Sequence, residues 1–219
     1  MKNGAALLFD LDGTLCDTDH LHFEAYRILL QDFDRAITLE HYKARIMGQT
    51  NDTIMREMFP ELAADRHNAL ADRKEELFRA QLAALTPTRG VLALLDWADA
   101  KGVPYAVVTN APRENAAMML SGLALDQRME TVILGGELER GKPDPLPYQT
   151  GLARLGASAE RALAFEDSLP GIRSASGAGV ATYGMRTGHP DAALLSAGAV
   201  AAIDDFTDPG LWQRLEALL

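Results

Sequence analysis

The chain has 219 residues, 47% hydrophobic and 24% charged, with a formal net charge of −10: enough for one good domain plus a small insertion, in ordinary globular proportions. The acidic excess argues against a nucleic-acid surface, yet leaves phosphate substrates open, since a bound cation and a few lysines can reverse the field locally. A single cysteine, Cys16, excludes an internal disulfide, and no apolar run approaches the roughly 18 residues of a membrane span.

From the amino terminus, Met1-Lys2-Asn3 lacks a signal-peptide pattern, which with the lone cysteine leads us to expect a cytoplasmic protein. Ala5–Phe9 is an apolar run that predicts a strand buried on both faces. It delivers Asp10 and Asp12, two residues apart and so on one side of the strand, then a Gly13-Thr14 turn. Such a pair is either a plain acidic turn or a site where a cation neutralises the acids. Cys16 reads as a small packed residue.

Helical spacing follows in Leu21, Ala25, Ile28 and Leu29, with Thr18 as the expected cap. Further helices are expected at about Thr38–Ile46, Asn51–Met58 and Glu61–Leu85, with Gly48 and Pro60 as punctuation. No strand interrupts Thr18 to Leu85, so this block is a helical module. Thr86-Pro87-Thr88-Arg89-Gly90 reads as a linker. Beyond it strands (Val103–Val108, Thr131–Leu134, Ala162–Phe165, Val180–Tyr183, Val200–Ile203) alternate with helices (Val91–Lys101, Pro112–Leu120, Asp144–Leu155, Pro170–Ala178, Pro209–Leu219). That alternation implies an α/β fold: a Rossmann-like parallel sheet with helices on both faces and an inserted α-helical cap. The expected boundaries are 1–15 and 88–219 for the core and 16–87 for the cap.

Three more stations carry chemistry. Val107-Val108-Thr109-Asn110 ends a strand in a hydroxyl and an amide, suited to holding an oxyanion or to capping the helix after Pro112. Gly141-Lys142-Pro143-Asp144-Pro145 puts one cation on a loop stiffened by prolines. Phe165-Glu166-Asp167-Ser168 ends another strand in two acids. In the helical block, His22 lies about one turn from Thr18, and Lys74 sits in the run Asp72-Arg73-Lys74-Glu75-Glu76, which alone suits a solvated face. His41, His67 and His189 belong to no constellation.

Together these stations resemble, in order and over essentially the whole chain, the four motifs of the haloacid dehalogenase superfamily, most of whose members are Mg²⁺-dependent phosphatases. The resemblance implies Asp10 as nucleophile and Asp12 as general acid and base, its pKa raised by crowding and cap closure. It implies Thr109 and the backbone around Asn110 on the phosphoryl oxygens, with Lys142 as neutralising cation. Mg²⁺ would be held by Asp10, Asp167 and the Asp12 backbone carbonyl, with Glu166 either binding it directly or standing behind its ligands. Likeness to the β-phosphoglucomutase and phosphoglycolate phosphatase branch places His22 and Lys74 at the substrate. Two departures favour a phosphatase over a mutase: Asn51 stands where the mutases have an arginine, and Pro112 where they have a lysine. The expected protein is a monomeric phosphomonoester hydrolase acting on a small phosphorylated metabolite, with no nucleic-acid or membrane partner. A phosphosugar mutase is the nearest rival, and a dehalogenase or a non-catalytic binding module are further ones.

Overall fold

The computed structural model describes residues 4–82 and 85–218 of the chain. Expectations that fall on Met1-Lys2-Asn3, on residues 83–84 within the helix expected at Glu61–Leu85, and on Leu219 lie outside the described residues.

Six strands, β1 (Ala6–Phe9), β2 (Tyr105–Thr109), β3 (Val132–Leu134), β4 (Ala162–Glu166), β5 (Ala181–Met185) and β6 (Ala201–Ile203), form one parallel sheet in the order β3-β2-β1-β4-β5-β6. β1 is buried throughout. Its side chains alternate as the pleat requires: Leu7 and Phe9 enter one apolar core, Ala6 and Leu8 the other. A strand apolar on both faces belongs in the middle of a covered sheet, and β1 lies between β2 and β4. Strand order reverses direction there, so the carboxyl ends of these three strands border a crevice. Below it, Phe9 stacks on Phe165 with centroids 5.0 Å apart, and Phe206 meets both edge-on at 5.8 and 5.1 Å.

Between β1 and β2 the chain forms α1 (Asp19–Gln31), the short α2 (Leu39–His41) running into a wider turn over Tyr42–Ile46, α3 (Asn51–Met58) and α4 (Ala64–Arg79). These helices build their own core from Tyr26, Leu29, Tyr42, Ile54, Met55 and Phe59, among others. The opposite side of α1, Leu21 and Ala25, packs on the sheet's core together with Phe78 of α4. The two linkers are tied together, since Thr88 donates its N–H to Leu15 O at 2.8 Å and its hydroxyl to Thr14 O at 2.6 Å. α5 (Val91–Lys101), α6 (Arg113–Gly122), α7 (Leu146–Leu155), α8 (Leu169–Gly177), α9 (Asp191–Ala197) and α10 (Pro209–Glu216) follow. Among the described residues no helix is long and apolar enough to cross a membrane.

Several expectations are corrected. Thr18 occupies the residue before α1 but makes no side-chain cap, because its hydroxyl is committed to Asp12. α4 is shorter than Glu61–Leu85, and β2 starts at Tyr105, after Pro104, which has no N–H to give a ladder. α6 runs on to Gly122, two residues past its expected end at Leu120. Helix α9 escaped the pattern analysis: it has seven residues, with only Leu194 and Ala197 buried. That is too few to display a helical period.

Phe165→Ala would remove the ring shared by Phe9 and Phe206 and leave a cavity under the crevice. It should cost about 3–5 kcal/mol, read as a lower urea midpoint by the fluorescence of Trp97 and Trp212, which pack on the same cluster.

Candidate active site

Asp10 follows directly from β1, and its N–H bonds to Phe165 O on β4 at 3.0 Å, which fixes its position against the neighbouring strand. Lys142 reaches in from the loop before α7, its Nζ 2.8 Å from Asp10 Oδ1 and 2.6 Å from Glu166 Oε1. Tyr148 of α7 donates its hydroxyl to the same Glu166 oxygen at 2.6 Å, and the Ser168 hydroxyl donates to Glu166 Oε2 at 3.3 Å. Two glycines make room for these acids. A Cβ on Gly171 would collide with the Glu166 carboxylate, and one on Gly13 (φ +68°) with that of Asp167.

Burial and the nearby Glu166 push the Asp10 pKa up to about 7, against the pull of Lys142. Burial, then Asp19, Asp10 and Glu166, raise Asp167 well above the carboxylate range. Burial alone would lower Lys142, but Asp10 and Glu166 outweigh it and hold its pKa above the ordinary value. Asp10, Glu166 and Asp167 can each bring an oxygen within 4.8 Å of the others. An all-oxygen carboxylate cluster, in which Asp10 and Asp167 resist ionisation, fits a hard cation such as Mg²⁺. Asp10 and Asp167 line the cavity above the strand ends, whereas Glu166 is fully buried behind them.

Asp12 faces the helical block. Its Oδ1 accepts from Thr18 Oγ1 at 2.6 Å and lies 2.9 Å from His22 Nε2. On the other side of the ring, Lys74 Nζ is 2.8 Å from His22 Nδ1. An ammonium has only donors, so Nδ1 accepts, and Nε2 carries the hydrogen given to Asp12. The ring is held flat against Phe78, 3.9 Å between centroids. The expected rise in the Asp12 pKa is overturned: burial does push it up, but His22 and Thr18 together hold it below the usual value.

Thr109 and Asn110 both line the cavity. The Thr109 hydroxyl accepts from Ala111 N at 3.0 Å, and α6 is instead preceded by Pro112. Asn110 serves the scaffold: its amide donates to Gly48 O at 3.2 Å and its Oδ1 accepts from Lys142 N at 3.3 Å. Lys74 is not on a solvated face; it and Glu75 are 3% and 5% exposed, while Asp72, Arg73 and Glu76 turn outward. Cys16 is buried and its thiol pushed up by burial and by Asp12, which suits a packed residue.

Pattern analysis missed Tyr148, Asp19 and the pair Glu75 and Asn115. Asp19 accepts from Tyr42 OH at 3.2 Å, lines the cavity, and is raised to about 6 by burial despite His22. Asn115 is fully buried on α6 and donates to Glu75 Oε2 at 2.5 Å. The available signal was an amide at an apolar-face position of α6. The cavity lined by Asp10, Asp12, Asp19, His22, Lys74 and Glu75, among others, measures about 80 Å³.

Comparison with known proteins finds that residues 7–185 match the haloacid dehalogenase-like hydrolase family model. A phosphorylated carbohydrates phosphatase of Thermotoga maritima is 35% identical, over 90% of this chain and 93% of that one. A phosphoglycolate phosphatase of Rhodospirillum rubrum is 32% identical over 94% and 90%. Among solved structures, CbbY of Rhodobacter sphaeroides in complex with xylulose-(1,5)bisphosphate superposes with a TM-score of 0.81, at 26% identity, over 94% of this chain and 96% of that one.

Asp10 binds protons more readily folded than unfolded, from 3.8 up to about 7. Between those values the folded state holds the extra proton, so without cation the stability falls as pH rises through that window. Asp10→Asn removes this contribution. The urea midpoint of the wild type should therefore fall more steeply over the window than that of the variant, and Mg²⁺ should flatten the wild-type curve. Parallel profiles would contradict the strained carboxylate.

Proposed function

Since this chain belongs to the haloacid dehalogenase-like hydrolases and its relatives are phosphatases, it is a hydrolase of phosphate monoesters, and we propose that it works through a covalent aspartyl-phosphate on Asp10 with Mg²⁺ as cofactor. The observation that carries this reading is the pairing of Asp10 with Lys142 at 2.8 Å while Asp12, two residues on, turns to His22. One carboxylate is placed beside a cation that can balance a phosphoryl group. The other contacts a histidine that itself contacts Lys74, a chain able to carry a proton.

In the first half-reaction Asp10 attacks phosphorus in line, and the bond to the leaving oxygen breaks as Asp12 gives that oxygen its proton. The arriving phosphate brings negative charge that raises the proton affinity of Asp12. The chain Lys74–His22–Asp12 is positioned to supply the proton through Nε2. In the second half Asp12 takes a proton from water, which attacks phosphorus and frees Asp10. Thr109 and Lys142 hold the phosphoryl oxygens in a loose transition state. Asp10 and Asp167 would hold the metal with the Asp12 backbone carbonyl, and Glu166 would fix Lys142 from behind. The metal supplies charge neutralisation and in-line orientation.

Residues 16–87 act on this reading as a cap that excludes water when closed. Asn51 and Pro112, both on the cavity wall, carry no charge, which supports hydrolysis over a mutase. The enzyme is read as a cytoplasmic monomer whose substrate is a small phosphorylated metabolite.

Phosphate release from p-nitrophenyl phosphate and a sugar-phosphate panel should require Mg²⁺ and vanish with chelator. Asp10→Asn should lower kcat by roughly 10⁴-fold or more while preserving the circular dichroism spectrum; substantial residual turnover would remove Asp10 as nucleophile. His22→Ala should cost about 10²–10⁴-fold in kcat and shift the pH profile, because it cuts Asp12 from Lys74.

A further inference from the structure

Beyond Asp12, the cavity is walled by the cap, and its charges are already spoken for. Two ammonium groups line it, Lys142 and Lys74. Lys142 is bound by Asp10 and Glu166. Lys74 is bound by His22 and Glu75 and lies over the rings of Tyr26 and Phe78 at 4.9 and 5.5 Å. The lining carboxylates are Asp10, Asp12, Asp19, Asp167 and Glu75. The first four belong to the phosphoryl end by contact or by field, Asp19 acting chiefly on Asp167. Glu75 is separate: its partners are Lys74, Asn51 and Asn115.

Those partners fix it. Glu75 Oε1 accepts from Asn51 Nδ2 at 2.7 Å and from Lys74 Nζ at 3.0 Å, and Oε2 accepts from Asn115 Nδ2 at 2.5 Å. Asn115 is in turn held by Arg79, which donates to its Oδ1 at 3.0 Å. The carboxylate therefore spans α3, α4 and α6 and cannot swing aside for a guest. Burial opposes its charge, but Lys74, His22 and Asn51 together keep its pKa below the ordinary value. A carboxylate offers about four acceptor positions, of which three are taken, so it can still accept from a hydroxyl.

We propose that Glu75 determines specificity, selecting phosphomonoesters whose leaving group is uncharged and hydroxylated and rejecting those whose leaving group bears its own anion, a second phosphate or a carboxylate. Lys74 is already paired with Glu75, so among the described residues no cation lining this end of the cavity is left to balance such an anion, and an unpaired anion in a water-poor cavity is costly. A hydroxyl in the same place gains a charge-assisted hydrogen bond. The assignment rests on the phosphatase reading above.

The test compares kcat/KM for glucose 6-phosphate, phosphoglycolate and fructose 1,6-bisphosphate, with p-nitrophenyl phosphate as a check on turnover itself. Wild type should favour glucose 6-phosphate by about 10²-fold over both anionic-leaving-group substrates. Glu75→Gln should narrow that ratio by about tenfold. Asn51→Arg, which brings in a cation and leaves the bond from Glu75 to Asn115 in place, should narrow it as well, and covers the case in which Glu75→Gln fails to fold. Equal turnover of the three by wild type, or an unchanged ratio in the folded variants, would overturn the assignment and leave the phosphatase intact. Silence toward all four compounds with Mg²⁺ overturns the phosphatase reading and this one with it.

Discussion

The structure depends on keeping negative charge at the end of a hydrophobic strand. Asp10, Glu166 and Asp167 are buried within reach of one another over a floor of aromatic rings. Removing such charges from water costs several kcal/mol each unless they are paired. One lysine does most of the pairing: Lys142 bridges Asp10 and Glu166, Tyr148 shares the same Glu166 oxygen, and Ser168 donates to the other. Asp167 keeps its high proton affinity, and this residual frustration is what a cation would relieve. The glycines at 13 and 171 follow from the same demand, since side chains there would occupy the space of the acids.

A second network carries that site into the helical block. Asp12, His22, Lys74, Glu75 and Asn115 form an unbroken chain of contacts that leaves the sheet, crosses α1 and α4, and returns to α6. Each link is short and largely buried, so the polar groups hold one arrangement rather than several. On the proposed reading, chemistry at the strand end and recognition in the helical block are thus parts of one connected unit. A change of charge at Glu75 reaches His22 through Lys74, and His22 in turn touches Asp12.

Much of this was legible in the amino-acid order. The apolar runs ending in Asp10, Thr109 and Glu166 announced three central parallel strands, because such runs survive only inside a covered sheet. The placing of Lys142 against Asp10 came from motif order and needed no three-dimensional knowledge. What stayed hidden has physical reasons. Glu75 sits in a run of charged residues, and only the helical phase of α4, packed on two sides, decides that it and Lys74 turn inward while their neighbours turn out. Asn115 and Tyr148 make contacts 40 and 18 residues away in sequence, and no local pattern marks such partners. Thr18 has the look of a cap, yet a nearby buried carboxylate competes for its hydroxyl and wins.

The stitching of Thr88 to Thr14 and Leu15 has one more implication. The helical insertion enters and leaves the sheet through a single doorway, closed by two hydrogen bonds of a threonine. The insertion's own core of Tyr26, Leu29, Tyr42 and Phe59 is separate from the sheet's, so it can vary without altering the register of a strand, whereas Leu21, Ala25 and Phe78 stay packed on the sheet's core. On the proposed reading the architecture therefore divides two duties: the reaction rests on the ends of the strands, and the choice of molecule on an insertion that joins the sheet at one place.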